Sequence, residues 1–146
     1  LRTHLYLLRQ ALDNPDVVRL ISDAGLPNEA IDLRGEIADM EDFYREIDVL
    51  ALTSRTEGFP NVVAEAMSYA KVVVSTDVGD AAEVTGKAGI VVPARDPEAF
   101  ADAMRKVLDL SAEEYARYAH LARDRIESEY LMHNIERRYS TFLSSF

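Results

Sequence analysis

Short apolar runs separated by longer stretches with a helical period leave this chain few folds to choose from. The runs lie at residues 4–8, 31–34, 48–53, 72–75 and 89–92. Helical patterns fill residues 15–24, 40–47, 60–70 and 97–108, and two more follow at 111–129 and 131–143. Strands alternating with helices at this spacing predict an α/β fold, a Rossmann-like parallel sheet with helices on both faces. Punctuation agrees with the boundaries. Asn14-Pro15 and Asp96-Pro97 each place a capping side chain before a proline at a first helical position, and Gly25 follows a last turn. Ser111-Ala112-Glu113-Glu114 has the form of a capping box. With no internal repeat or low-complexity linker, all 146 residues read as a single domain.

Composition narrows the function. The chain is 48% hydrophobic and 29% charged, which suits a soluble domain with a core. No run approaches the ~18 to 20 apolar residues of a membrane span, and Leu1-Arg2-Thr3-His4 lacks the basic-then-apolar order of a secretory leader. The absence of cysteine excludes a disulfide framework and a thiolate zinc site. A net charge of −10, from 16 basic and 26 acidic residues, argues against a nucleic-acid partner. An anionic ligand must therefore be held by local devices. His4, His120 and His133 lack metal-ligand spacing, and Asp39, Glu41 and Asp42 fit a helix start, so no metal is expected. Neither a Gly-rich dinucleotide fingerprint nor a nucleophile elbow occurs.

The chemistry concentrates after the strand at 48–53. Ser54-Arg55-Thr56-Glu57-Gly58-Phe59-Pro60-Asn61 is a strand-to-helix turn at the carboxyl edge of a parallel sheet, where open sheets bind ligands. Gly58 admits close backbone approach, Pro60 suits the first helical turn, and the amides of Asn61 and Val62 are expected to be free at the helix start. A phosphate there gains hydrogen bonds and the helix dipole, the latter about 0.3 to 1 kcal/mol. Glu65 follows inside an apolar helix, flanked by Val62, Val63, Ala64, Ala66 and Met67. If that helix packs on the sheet, the carboxylate needs donors, and vicinal hydroxyls such as those of a ribose supply two. Glu57, on the turn itself, is placed to reach hydroxyls beyond the phosphate.

The stretch from Glu57 through Met67, followed by Val72-Val73-Val74-Ser75-Thr76-Asp77-Val78-Gly79, resembles the carboxyl-terminal, donor-binding half of GT-B glycosyltransferase family 4, the glycosyl transferases group 1. The resemblance continues in order through Ile31 to Gly35, Gly89-Ile90-Val91-Val92-Pro93 and residues 97–108. It implies a hexosyltransferase of polysaccharide or glycoconjugate biosynthesis whose donor is a nucleotide-diphosphate sugar, with no further cofactor and with retention of configuration favoured. Glu57, Gly58, Phe59 and Pro60 would contact the donor sugar, Asn61 and Val62 the phosphates, and Glu65 the ribose. Gly35, Glu36 and Ile37 would lie by the base. No catalytic residue is assigned.

Two departures from the family pattern bear on the site. Ala70 stands where the family usually has glycine, which is tolerable if its backbone keeps a negative φ, and Asp80 replaces a second glycine after Gly79. Relative to the family, the first strand and helix of the domain, with an Arg and a Lys that neutralise the diphosphate, are missing before Leu1. Arg34 and Arg55 are the nearest replacements in sequence. If the strand order is 3-2-1-4-5-6, the missing strand is central, and the sheet must close up, stay split or borrow a strand. The resemblance also implies an amino-terminal acceptor domain outside these residues, so the chain alone is expected to be catalytically incompetent. Residues 131–146 carry an apolar helical stripe that either packs on its own domain or crosses to that absent domain. Exposed, the stripe or the missing-strand edge would drive self-association. A cytoplasmic location is expected, peripheral to the membrane through the missing domain. A nucleotide-sugar epimerase of GT-B-like fold and a non-catalytic subunit of a split transferase remain as alternatives.

Overall fold

The computed structural model describes residues 5–6, 31–32 and 37–144. The expected helix at 15–24 and the ends of the first two expected strands lie outside these residues. Contacts divide the chain into two compact units, Leu1–Asp48 and Val49–Phe146.

In the first unit β1 (Leu5–Tyr6) runs parallel to β2 (Ile31–Asp32), with Leu5 opposite Ile31. Helix α1 (Met40–Glu46) starts at Asp39, whose Oδ1 accepts from the amides of Glu41 at 3.0 Å and Asp42 at 3.1 Å. The acids at this position therefore serve the helix start, as their spacing predicts.

The second unit holds a three-stranded parallel sheet in the order β3 (Val49–Leu52), β4 (Val72–Thr76), β5 (Gly89–Val92). Among the described residues the two sheets are separate hydrogen-bonded sets. Strand β4 is buried along its whole length, as expected of a central parallel strand whose residues Val72 to Val74 are all β-branched. Its alternate side chains serve opposite faces. Val72 and Val74 join Val92 against Ala103 and Val107 of α4 (Pro97–Leu108), with Tyr115 and Tyr118 of α5 (Ala112–Arg125) beside them. Helix α2 (Asn61–Ser68) packs on β3 and β4 through the fully buried Val63, Ala66 and Met67. Burying side chains of this size contributes about 1.5–3 kcal/mol for each Val or Met.

The helix starts follow their sequence signals. Asp96 Oδ1 accepts from the Ala99 amide at 2.9 Å, with Pro97 opening α4. Ser111 and Glu114 form the reciprocal capping box of α5. Two features escape the periodicity. One is α3 (Ala81–Thr85), a five-residue helix ended by Gly86 at φ +53°, too short to show a helical repeat. The other is a π-helical turn, Ile126–Tyr130, that ends α5 before α6 (Met132–Leu143) begins.

Helix α2 ends in a Schellman motif, with the Ala70 amide bonded to the Met67 carbonyl at 2.9 Å and the Lys71 amide to the Ala66 carbonyl at 3.0 Å. The motif needs a left-handed residue, and Ala70 takes it at φ +56°. The condition of a negative φ is thus not met: the turn keeps its shape, and the methyl bears the strain. An L-residue other than glycine or asparagine pays roughly 1–2 kcal/mol in that region, partly offset by the lower chain entropy of alanine when unfolded. Ala70→Gly is therefore expected to raise stability by about 0.5–1 kcal/mol, measured as an increase in urea midpoint at unchanged slope. A lower midpoint would show that the turn carries no strain.

Candidate functional site

The carboxyl ends of β3 and β4 feed two loops that are tied to each other. Thr76, the last residue of β4, donates its Oγ1 hydrogen to the Ser54 carbonyl at 2.7 Å. Ser54 Oγ in turn donates to Glu57 Oε1 at 2.6 Å, which fixes the half-buried Glu57 carboxylate within its own loop. The Asp80 amide donates to the Gly58 carbonyl at 3.0 Å, and the Asp77 amide to the Val92 carbonyl at 2.8 Å. Gly79 sits at the crossing with φ +52°. A Cβ there would lie 2.5 Å from the Glu57 carbonyl oxygen and closer still to that of Gly58. Only glycine fits. At Gly58 a Cβ would meet nothing within 4 Å among the described residues, so these leave space over the backbone at the loop tip.

The start of α2 differs from the expectation in detail. Pro60 is the N-cap residue rather than the first helical one. The Asn61 amide is not free: it donates to the Phe59 carbonyl at 3.0 Å, and Val63 to that of Pro60 at 3.0 Å. Val62, second in the helix, keeps an N–H that no helical carbonyl can reach. No side chain caps this start and no acid sits in its first turn, in contrast to α1, α4 and α5. Its positive end is left uncompensated by the helix's own residues.

Glu65 requires a larger correction. The helix is packed as predicted, but Glu65 lies on its exposed face, while Val63, Ala66 and Met67 take the buried one. Its side chain therefore sits on the outer side of the helix and not in the core. Periodicity gave the helix correctly; reading the apolar neighbours as a surround rather than a stripe gave the wrong burial. Phe59 is 44% exposed, and its ring meets Tyr130 of the π turn at 6.1 Å between centroids, tilted 51°. Asp80 is exposed, with its side chain uninvolved in the loop crossing, which uses its amide. Arg55 is exposed on the same loop as Glu57. Arg34, Gly35 and Glu36 lie outside the described residues, and Ile37, the last of the expected base-proximal set, is half-buried.

Sequence reasoning missed Ser54, Thr76 and Tyr130. The hydroxyls at 54 and 76 flank the strand ends, where a hydroxyl withdrawn from water must find an acceptor; that signal was present. Tyr130 lies 71 residues beyond Phe59, and no local pattern announces it. Among the described residues no group of three or more His, Asp or Glu side chains is placed to hold a metal. None of their helices is long and apolar enough to cross a membrane.

Comparison with known proteins gives this geometry a family. The family model for glycosyl transferases group 1 matches residues 4–110. A lipopolysaccharide core biosynthesis mannosyltransferase, LpcC, of Rhizobium leguminosarum bv. viciae is 41% identical over 83 residues, 56% of this chain and 23% of that protein. The chain thus spans about a quarter of that relative's length. Among solved structures, HepE of Anabaena in complex with UDP superposes with a TM-score of 0.80 at 21% identity, over 99% of this chain and 41% of that one. The carboxyl-terminal domain of the glycosyl transferase group 1 protein LpcC of Francisella tularensis gives 0.70 at 24%, covering 80% and 62%. These neighbours share the GT-B fold of the sheet and its flanking helices. From the tied loops at the strand ends to the matched model, the observations agree, and the chain belongs to the glycosyl transferases group 1 family.

Proposed function

We propose that this chain is the donor-binding portion of a family 4 GT-B glycosyltransferase, taking a nucleotide-diphosphate sugar and presenting it for transfer to an acceptor. One observation carries the reading. The uncapped start of α2, the open backbone at Gly58 and the tethered Glu57 carboxylate lie together where β3 ends, at the edge where parallel sheets bind ligands. The diphosphate is read at the α2 start, held by the Val62 amide and the helix dipole, with the Asn61 amide contributing only if it leaves Phe59. Glu57 and the backbone of 58–60 take sugar hydroxyls, Glu65 takes the ribose, and residues 35–37 take the base. The bond from Ser54 holds the Glu57 carboxylate in one orientation, so it accepts from hydroxyls rather than swinging to solvent. The UDP held by the Anabaena neighbour supports a nucleotide as ligand.

Transfer develops negative charge on the departing diphosphate, and catalysis depends on donors aimed at it. One uncapped helix start is a small share of what that step needs. We therefore read the chain alone as binding donor weakly and transferring nothing, with retention of configuration as the outcome in a complete enzyme. The reading assigns no metal and no further cofactor, an amino-terminal acceptor domain as intramolecular partner, and a cytoplasmic setting. Across α6, Met132 is 70% exposed, Tyr139 67% and Leu143 65%, so much of this helix's apolar surface is open. We read it as the surface for that domain. For these residues by themselves, self-association is expected as a sedimentation coefficient that rises with concentration; a constant monomer value would remove this part of the reading.

Ligand-observed NMR with uridine, guanosine and adenosine diphosphate sugars tests the whole. Saturation transfer to one nucleotide class, retained in EDTA and lost in Glu65→Ala, is the expected result. Signal loss in EDTA would assign the phosphates to a metal instead. Absence of transfer from every donor would leave an interaction role only, and sugar conversion without acceptor would point to an epimerase.

A further inference from the structure

A second set of contacts holds the candidate donor loop from behind. The Arg125 Nε hydrogen goes to the Val84 carbonyl at 2.9 Å and its Nη2 to the Glu83 carbonyl at 2.5 Å, at the carboxyl end of α3. These carbonyls lack helical partners, and a cation is favoured beside them. Gly86 makes room for this: a Cβ there would lie 2.8 Å from Arg125 Nε. The Arg125 guanidinium also lies 5.9 Å from the centroid of the Tyr130 ring, and Tyr130 meets Phe59. At its other end α3 follows Asp80, whose amide holds the Gly58 carbonyl. The contacts form a closed circuit: Gly58 and Phe59, Tyr130, Arg125, the two ends of α3, and Asp80 back to Gly58.

The π turn explains why two residues five apart can act together. An α-helix sets residues five apart about 140° around its axis, whereas the wider i→i+5 turn of Ile126–Tyr130 brings Arg125 and Tyr130 toward one face. A one-turn π segment costs hydrogen-bond geometry, and such segments persist where the re-aimed side chains are used.

We propose that Tyr130, braced by Arg125, is a positioning residue for the loop at Gly58 and Phe59, so that loop geometry depends on the π turn between α5 and α6. Its effect on ligand rests on the donor-site reading above; its effect on the loop does not. Neither side chain touches the ligand in this account. They limit how far the loop tip moves, and α6, which begins at Met132 two residues after Tyr130, is linked to the loop through the same turn. The hydroxyl of Tyr130, 3.4 Å from the Glu83 carbonyl, is secondary; the ring is what meets Phe59.

Amide hydrogen exchange on the full chain reads the brace without any ligand. In Tyr130→Ala the amides of Asn61 and Asp80 should exchange at least about tenfold faster, while those of Val73 and Val74 in β4 stay within about twofold, a loop-local opening and not global unfolding. Tyr130→Phe, which keeps the ring, should match the parent. UDP-glucose titration should show about tenfold weaker binding for Tyr130→Ala and parent-like binding for Tyr130→Phe. If the parent binds no UDP-glucose, the titration is repeated with the donor that the NMR panel selects, binding of none of them removes the donor reading, and the exchange result still decides the brace. Should Tyr130→Ala not fold, Arg125→Lys, which loses the two-carbonyl fork, carries the same test. Unchanged exchange at Asn61 and Asp80, or equal acceleration in β4, would overturn the proposal.

Discussion

Gly79→Ala should lose about 2–5 kcal/mol of stability, from left-handed strain of roughly 1–2 and overpacking of roughly 1–3 kcal/mol. The added methyl would meet the Glu57 and Gly58 carbonyl oxygens, which are backbone and cannot rotate away. Relief requires moving one loop off the other and breaking the bond from the Asp80 amide to the Gly58 carbonyl. Against a typical total of about 5–15 kcal/mol, a loss of this size brings the unfolding midpoint down sharply. Urea denaturation followed by circular dichroism checks it. A change below about 0.5 kcal/mol, the scatter of ordinary surface substitutions, would mean the two loops are not in the described contact. Any nucleotide binding should fall in the same variant even where it remains folded, because the crossing sets the loop tip.

Glu65→Ala should do the opposite: cost ligand and spare the fold. The side chain is exposed on α2, so unfolding should change by no more than about 0.5 kcal/mol. If Glu65 accepts hydrogen bonds from ribose hydroxyls, removing a charged acceptor costs about 1.5–3 kcal/mol of binding. That is roughly a 10- to 100-fold rise in Kd. Titration of the nucleotide selected in the NMR panel, with thermal melts alongside, separates the two quantities. Equal loss of stability and affinity would assign Glu65 a structural role, and unchanged affinity would remove it from the site.

Most of the second unit could be read from its residues, for reasons that apply only to parts of it. The valine run of β4 and the paired capping signals of α4 and α5 depend on side chains close in sequence, and these elements fall where local chemistry puts them. Helix α3 offers five residues and no repeat, so nothing in the pattern separates it from a turn. The π turn needs one extra residue in a helical cycle, which periodicity averages away. For the candidate site, the loop and both glutamates were visible as residue types in order. What could not be seen was which face of α2 Glu65 occupies once Val63, Ala66 and Met67 are buried. Nor could sequence show that the Asn61 amide is already taken by Phe59, since that bond follows from how the chain turns at Pro60. The crossing at Gly79 and the ring contact at Tyr130 join segments distant in the chain, beyond the reach of any window.

The order β3-β4-β5 has a kinetic side. Parallel sheets are slow to assemble when their ladders join remote segments, because chain closure must precede any reward from pairing. Here each ladder unites strands that are consecutive in the chain, with one crossover between each pair. The rim that carries both loops is thus set by the pairing of β3 with β4.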